Sequence, residues 1–125
     1  MPQTSRPQVR TRRVYEPPEP DDGLRVLVDR LWPRGISKAD AHIDVWPKDL
    51  TPSTELRRWY HGDEGEFEEF RRRYGKELDE PAAAEALADL RARASDGPVT
   101  LLTAAKDPSR SHTAVLTEVL EAKAA

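Results

Sequence analysis

Three short stretches of the chain carry the apolar pattern of β-strands. In residues 9–15, basic side chains alternate with apolar or β-branched ones, which is typical of a half-buried strand. Residues 24–28 follow the turn signal Asp22-Gly23 and form an almost continuous β-forming run, which predicts a central strand covered on both faces. Val99–Thr103 predicts a second buried strand.

Four further stretches place apolar side chains at helical spacing, which predicts four amphipathic helices. Thr51 or Ser53 can cap the first helix, Pro81 suits the first turn of the third, and Gly97 ends it. The inward positions are Leu56, Trp59 and Tyr60 in the first helix, Phe67, Phe70, Tyr74 and Leu78 in the second, Ala84, Leu87 and Leu90 in the third, and Val115, Leu116, Val119 and Leu120 in the last.

The order of these elements predicts the fold class. Two strands, a long irregular loop over residues 31–52, three helices, a third strand and a final helix indicate an α/β protein with a small, largely parallel β-sheet flanked by helices. A chain of 125 residues is long enough for one compact domain. We expect residues 9–122 to form its globular core and residues 1–8 to be a flexible basic arm.

Composition narrows the chemistry. The chain has no cysteine, which excludes disulfides, thiolate nucleophiles and cysteine-ligated metals. A net charge of -3 argues against a dedicated nucleic-acid binder. No apolar run reaches the roughly 18 residues of a membrane span, and the first residues lack the apolar segment of a secretory signal, so we expect a cytoplasmic protein without a membrane partner. Without HExxH spacing or a phosphate-binding glycine pattern, no metal or cofactor is predicted.

Two polar clusters follow the strands predicted at residues 24–28 and 99–103. Ligands of open α/β sheets bind beyond the carboxyl ends of the strands, and parallel neighbouring strands would bring the two clusters together. The first cluster contains Asp29, Arg30, Trp32 and Arg34. We expect Asp29 to orient an arginine for bidentate contact with an anion. The alternative is a structural salt bridge that closes the loop, with Trp32 in the core.

The second cluster leads into the last predicted helix and consists of Lys106, Asp107, Ser109, Arg110, Ser111 and His112. A helix N-terminus with these side chains suits a phosphate, carboxylate or sulfate, because it presents unpaired N–H groups and the positive end of the helix dipole. The alternative is that Asp107 is only the N-cap, Pro108 is the first helical residue, and the basic side chains are solvated.

Each cluster supplies candidate roles. Arg34 and Lys106 are expected to clamp a ligand's negative charge. His112 is the candidate general acid or base, and Asp29 is the second candidate catalytic residue.

Three functions stay open on these residues. The first is an anionic small-molecule site at the strand ends, with or without catalysis. The second is a nucleic-acid or regulatory partner bound by the arginines of residues 6–13, with an affinity that falls steeply with salt. The third is a structural or protein-interaction role, in which Trp46, Trp59 and the helix at residues 67–74 expose a self-association patch.

The string Val-Asp-Arg-Leu-Trp-Pro-Arg-Gly at residues 28–35, the Trp59-Tyr60 pair, residues 70–74, and Lys106-Asp107 with His112 resemble the YeaO-like branch of domain-of-unknown-function family 488. The resemblance spans roughly residues 9–120. It implies a compact α/β fold of bacterial or archaeal cytosolic type and no established reaction. Related sequences commonly carry Tyr at Thr103 and Asn at Ser111, and distant ones carry cysteines near the second cluster, so thiol or metal chemistry is not carried over to this chain.

Overall fold

The computed structural model describes residues 9–122, within which three parallel strands form one sheet. The strands are β1 (Val9–Arg13), β2 (Leu24–Leu27) and β3 (Val99–Thr103). Their order is β1-β3-β2, so β3 is central and pairs in parallel with both neighbours. The predicted α/β class with a small parallel sheet is confirmed.

The prediction that residues 24–28 form the central strand is wrong, because β2 lies at the edge of the sheet. Its apolar character has another cause. The outer edge of β2 is covered by residues 44–45 of the long loop: the Leu27 N–H donates to the Val45 carbonyl over 3.0 Å, and the Asp44 N–H donates to the Arg25 carbonyl over 2.8 Å. Residues 25–28 are therefore buried as completely as a central strand would be.

Five helices lie in the described part of the chain: α1 (Lys38–Ala41), α2 (Thr54–Tyr60), α3 (Phe67–Leu78), α4 (Pro81–Asp96) and α5 (His112–Ala122). Ser53 caps α2 by accepting from the Leu56 N–H. In α4, Ala83 is buried and Ala84 is exposed, which corrects the predicted inward face by one position. Pro108 begins a short 3-10 turn, Pro108–Arg110, and α5 begins only at His112. None of these helices is both long and apolar enough to cross a membrane.

Both faces of β3 are buried, and its alternate residues point to opposite sides of the sheet. Leu101 joins a large cluster with side chains of α2, α3, α4 and α5. Leu102 joins a smaller cluster with Val14 and Ala41, against which Trp32 and other loop side chains pack. The long loop therefore covers the face that the helices leave open, which fixes the segment that follows β2.

The arginines of β1 are engaged within the fold. Arg10 and Arg12 both form ion pairs with the buried carboxylate of Asp22, which also pairs with Arg25. Arg13 donates to the carbonyls of Ala104 and Ala105 over 3.1 and 3.0 Å. The basic arm predicted for residues 1–8 lies outside the described residues.

Candidate functional site

The loops that follow β2 and β3 meet at one end of the sheet, because the two strands are parallel neighbours. They line one side of a cleft of about 860 Å³, and α2 and the start of α3 line the other. Of the predicted site residues, only Ser109 is absent from the lining, which includes Asp29, Arg30, Trp32, Arg34, Lys106, Asp107, Arg110, Ser111 and His112. The structure therefore brings both clusters to one cleft.

Asp29 lies just beyond the end of β2, and its carboxylate is held by three donors from the β3 side. One oxygen, Oδ1, accepts from the Thr103 hydroxyl over 2.7 Å and lies 3.0 Å from His112 Nε2. The other, Oδ2, accepts from the Ala104 N–H over 2.8 Å. Burial raises the pKa of Asp29, but the hydrogen bonds from His112, Ala104 and Thr103 outweigh it and the pKa lies below its usual value.

This geometry fixes the His112 ring. An ionised carboxylate only accepts hydrogen bonds, so Nε2 carries the proton that points at Asp29. Within residues 9–122, Nδ1 has no hydrogen-bond partner, so in the neutral ring it is an acceptor that no described donor uses. Asp29 thus orients His112, whereas the sequence had predicted that it would orient Arg30 or Arg34.

The cationic side chains of the cleft lack carboxylate partners. No ion pair to a described carboxylate is formed by Arg30, Arg34, Arg57, Lys106 or Arg110. Among the described residues, Arg30 donates only to the Pro52 carbonyl, over 3.2 Å. By contrast, the arginines on the outer face of α3 are paired with glutamates, for example Arg72 with Glu69 over 2.6 Å. The cleft therefore concentrates positive charge that the described part of the protein does not neutralise.

Three members of the second cluster serve the turn before α5. The Asp107 carboxylate accepts from the N–H and the hydroxyl of Ser109 over 3.2 and 2.6 Å, as an N-cap does. The buried Ser111 hydroxyl donates to the Pro108 carbonyl over 2.8 Å and accepts from the Thr113 N–H over 3.2 Å. These contacts agree with the capping alternative for Asp107, and they hold the loop that presents Lys106 and Arg110.

The opposite wall of the cleft is aromatic. Tyr60 stacks on Phe70 with a centroid distance of 4.4 Å, and Phe67 lies 6.3 Å from both rings. The Tyr60 hydroxyl donates to the Arg110 carbonyl over 2.7 Å, which ties α2 to the loop after β3. Trp32, on the other side, donates from its indole N–H to the Ile36 carbonyl over 2.7 Å, so it anchors the loop as well as lining the cleft.

Sequence reasoning missed Thr103, Arg57 and Tyr60. Thr103 is the last residue of β3, and its position at a strand end next to the second cluster is a signal that could have identified it. Tyr60 belongs to a motif of the family resemblance, but no sequence signal placed Tyr60 or Arg57 near the strand ends, because their helix has an ordinary amphipathic pattern. Among the described residues, no three histidine or carboxylate side chains lie together as metal ligands would.

Comparisons with known proteins identify relatives of unknown function. A family model described as "Inactive DUF488-N3 subclade" matches residues 8–125. The uncharacterized protein Rv3073c of Mycobacterium tuberculosis is 49% identical over 116 residues, which cover 93% of this chain and 96% of that protein. The uncharacterized protein YeaO of Escherichia coli is 45% identical over 113 residues, covering 90% and 96%. No solved structure matches significantly. The chain therefore belongs to the YeaO-like proteins of the DUF488 family, as its sequence motifs had predicted.

Proposed function

We propose that this protein binds an anionic small molecule in the cleft at the carboxyl ends of β2 and β3, without chemical turnover. The observation that carries the proposal is the convergence of five cationic side chains that no described carboxylate neutralises: Arg30, Arg34, Arg57, Lys106 and Arg110. Among the described residues, three carboxylates line the cleft, those of Asp29, Glu66 and Asp107, and each already accepts a hydrogen bond. An anion would supply the missing partner for the guanidinium groups.

Binding is favoured over catalysis by the surroundings of His112. Asp29 orients the ring as in an acid–base pair, but the nearby hydroxyls are engaged: Thr103 donates to Asp29, and Ser111 donates to the Pro108 carbonyl. These bonds leave neither hydroxyl as a nucleophile for His112 to activate, which disfavours covalent catalysis through a serine or threonine of the cleft. The word "inactive" in the description of the matching family agrees with this preference.

The two alternative functions receive less support from the described residues. Arg10 and Arg12 of the expected nucleic-acid-binding segment are committed to Asp22. Phe70 and Tyr74 of the expected self-association patch are buried in the core. The anion site is better supported, because the cationic side chains that it needs have no described carboxylate partner.

The test is a thermal-unfolding and calorimetric titration with phosphate, sulfate and small carboxylates, with chloride at matched ionic strength as the reference. A ligand at about 100 times its Kd should stabilise the protein by roughly 2.7 kcal/mol, or several degrees in Tm. Arg57→Ala and the double variant Arg34→Ala, Lys106→Ala should weaken binding by about 10-fold or more, since a charge-assisted hydrogen bond contributes about 1.5–3 kcal/mol.

Arg58→Ala is the matched control, because Arg58 neighbours Arg57 on α2, is exposed, and does not line the cleft. It should bind anions as the wild type does. The proposal fails if no anion shifts the Tm beyond the chloride reference, or if Arg57→Ala and Arg58→Ala have equal effects.

A further inference from the structure

The fold leaves two large hydrophobic side chains exposed among residues 9–122, and both line the cleft. Tyr15 is 41% exposed and Leu31 is 68% exposed, and the other large apolar side chains among these residues are less exposed than either. The Tyr15 hydroxyl donates to the Arg34 carbonyl over 2.8 Å, so this apolar surface adjoins the cationic loop. A ligand whose apolar part covers this surface binds more tightly, because burial of apolar surface is favourable.

The loop after β3 also brings a cation against the aromatic wall of α2 and α3. The Arg110 guanidinium carbon is 6.0 Å from the centroid of Phe67, which stacks in turn near Phe70 and Tyr60. A guanidinium plane binds a carboxylate or phosphate at its edge and stacks on an aromatic ring at its face. Such a wall can hold an anionic group and a ring of the same molecule.

The size of the cleft agrees with a ligand larger than an inorganic ion. Sites for drug-sized molecules enclose about 300–1,000 Å³, and this cleft encloses about 860 Å³. Phosphate or sulfate occupies the space of only a few water molecules, at about 30 Å³ each. An inorganic anion would therefore satisfy the cations and leave the apolar walls uncovered.

We propose that the ligand is an aromatic acid, that is, a carboxylate or phosphate monoester carried on a ring system. Its anionic group binds the cleft cations, and its ring covers Leu31 and Tyr15. The inference rests on the proposed function, because the same cations hold the charged group. It adds that ring surface contributes to affinity.

The experiment is a calorimetric titration of the full chain with two series of graded ring size. The first series is methyl phosphate, phenyl phosphate and 1-naphthyl phosphate, and the second is acetate, benzoate and 1-naphthoate. Within a series the charge is constant, so affinity differences report the ring. Covering about 60 Å² of additional apolar surface tightens binding roughly 10-fold at each step. The series with the larger gain identifies the anionic group.

Leu31→Gln separates the ring contribution from the charge contribution, because Leu31 is largely exposed and its replacement leaves the core intact. In this variant the naphthyl compound should lose most of its advantage, while methyl phosphate and acetate bind as they do to the wild type. Equal affinities along both series would overturn the aromatic-acid inference and leave the anion site standing. No binding by any of the six compounds would overturn the proposed function as well.

Discussion

Replacement of Thr103 by valine tests the hydrogen-bonded centre of the site. Thr103 is 1% exposed, and valine has nearly the same shape, so the change removes a hydroxyl without opening a cavity. Two hydrogen bonds are lost: the 2.7 Å bond that the hydroxyl donates to Asp29 Oδ1, and the 3.1 Å bond that it accepts from the Ala105 N–H. His112 and Ala104 continue to hold the carboxylate.

The expected loss follows from the types of bond. A hydrogen bond to a charged group contributes about 1.5–3 kcal/mol and a neutral one about 1 kcal/mol, so Thr103→Val should lower the free energy of unfolding by about 2–4 kcal/mol. For a chain of this length the Tm should fall by roughly 10 °C. Urea denaturation monitored by tryptophan fluorescence measures the free energy, and a thermal scan by circular dichroism measures the Tm.

Thr11→Val is the matched control, because the half-buried Thr11 hydroxyl contacts just one described polar group, the neutral Thr117 hydroxyl at 3.4 Å. Its effect should stay below about 0.5 kcal/mol. If Thr103→Val costs no more than this control, the hydroxyl does not stabilise the Asp29 carboxylate as argued, and the centre of the proposed site would have to be revised.

Four further substitutions test separate parts of the structure. Asp29→Asn should cost about 1–3 kcal/mol at pH 7, because an amide accepts fewer of the three hydrogen bonds. Folding lowers the pKa of Asp29, so its ionisation stabilises the fold above about pH 4, and this contribution is lost as the pH falls. Urea titrations should therefore show that the stability difference between Asp29→Asn and the wild type narrows in acid. A difference that does not change with pH would contradict this. Gly23→Ala should cost more than about 2 kcal/mol in urea denaturation, since φ is +63° and the new Cβ would lie 2.1 Å from the Pro98 carbonyl oxygen. Gly75→Ala, with open space around the new Cβ in α3, should instead stabilise by about 0.5–1 kcal/mol, and similar effects at both glycines would refute the steric argument. Tyr74→Phe should lower the Tm by several degrees, because the buried hydroxyl donates to a backbone carbonyl that would lose its donor; an unchanged Tm would show that water replaces it.

Most elements could be predicted from the sequence because their signals are local. The spacing of Phe70, Tyr74 and Leu78 places α3, and the Pro81 and Gly97 signals bound α4. The position of β2 at the sheet edge could not be predicted. Its apolar run indicates that the strand is buried, but it does not show whether a neighbouring strand or a loop covers it. The covering partner is Val45 in the long loop, and no local pattern marks that residue as strand-like.

The site shows the same division. The two clusters meet because β2 and β3 pair in parallel. From the sequence, this meeting could be predicted only on the condition that the two strands are parallel neighbours. The partners of Asp29 could not be read in this way, because arginines adjacent in sequence looked like its natural ion-pair partners. The Asp29 carboxylate instead lies toward β3, where it accepts hydrogen bonds from the Thr103 hydroxyl and the Ala104 N–H. Arg57 enters the cleft only because α2 packs over the strand ends, which is a property of the tertiary fold.

The covered edge of β2 has a consequence for the behaviour of the protein at high concentration. An open strand edge offers unpaired N–H and C=O groups on which a second molecule can add a strand, and such addition leads to aggregation. Residues 44 and 45 already occupy part of the β2 edge. The other edge strand, β1, carries three charged side chains, Arg10, Arg12 and Arg13, which disfavour strand addition. A change that loosens the loop around Val45 would therefore promote aggregation even if every residue of the cleft were preserved.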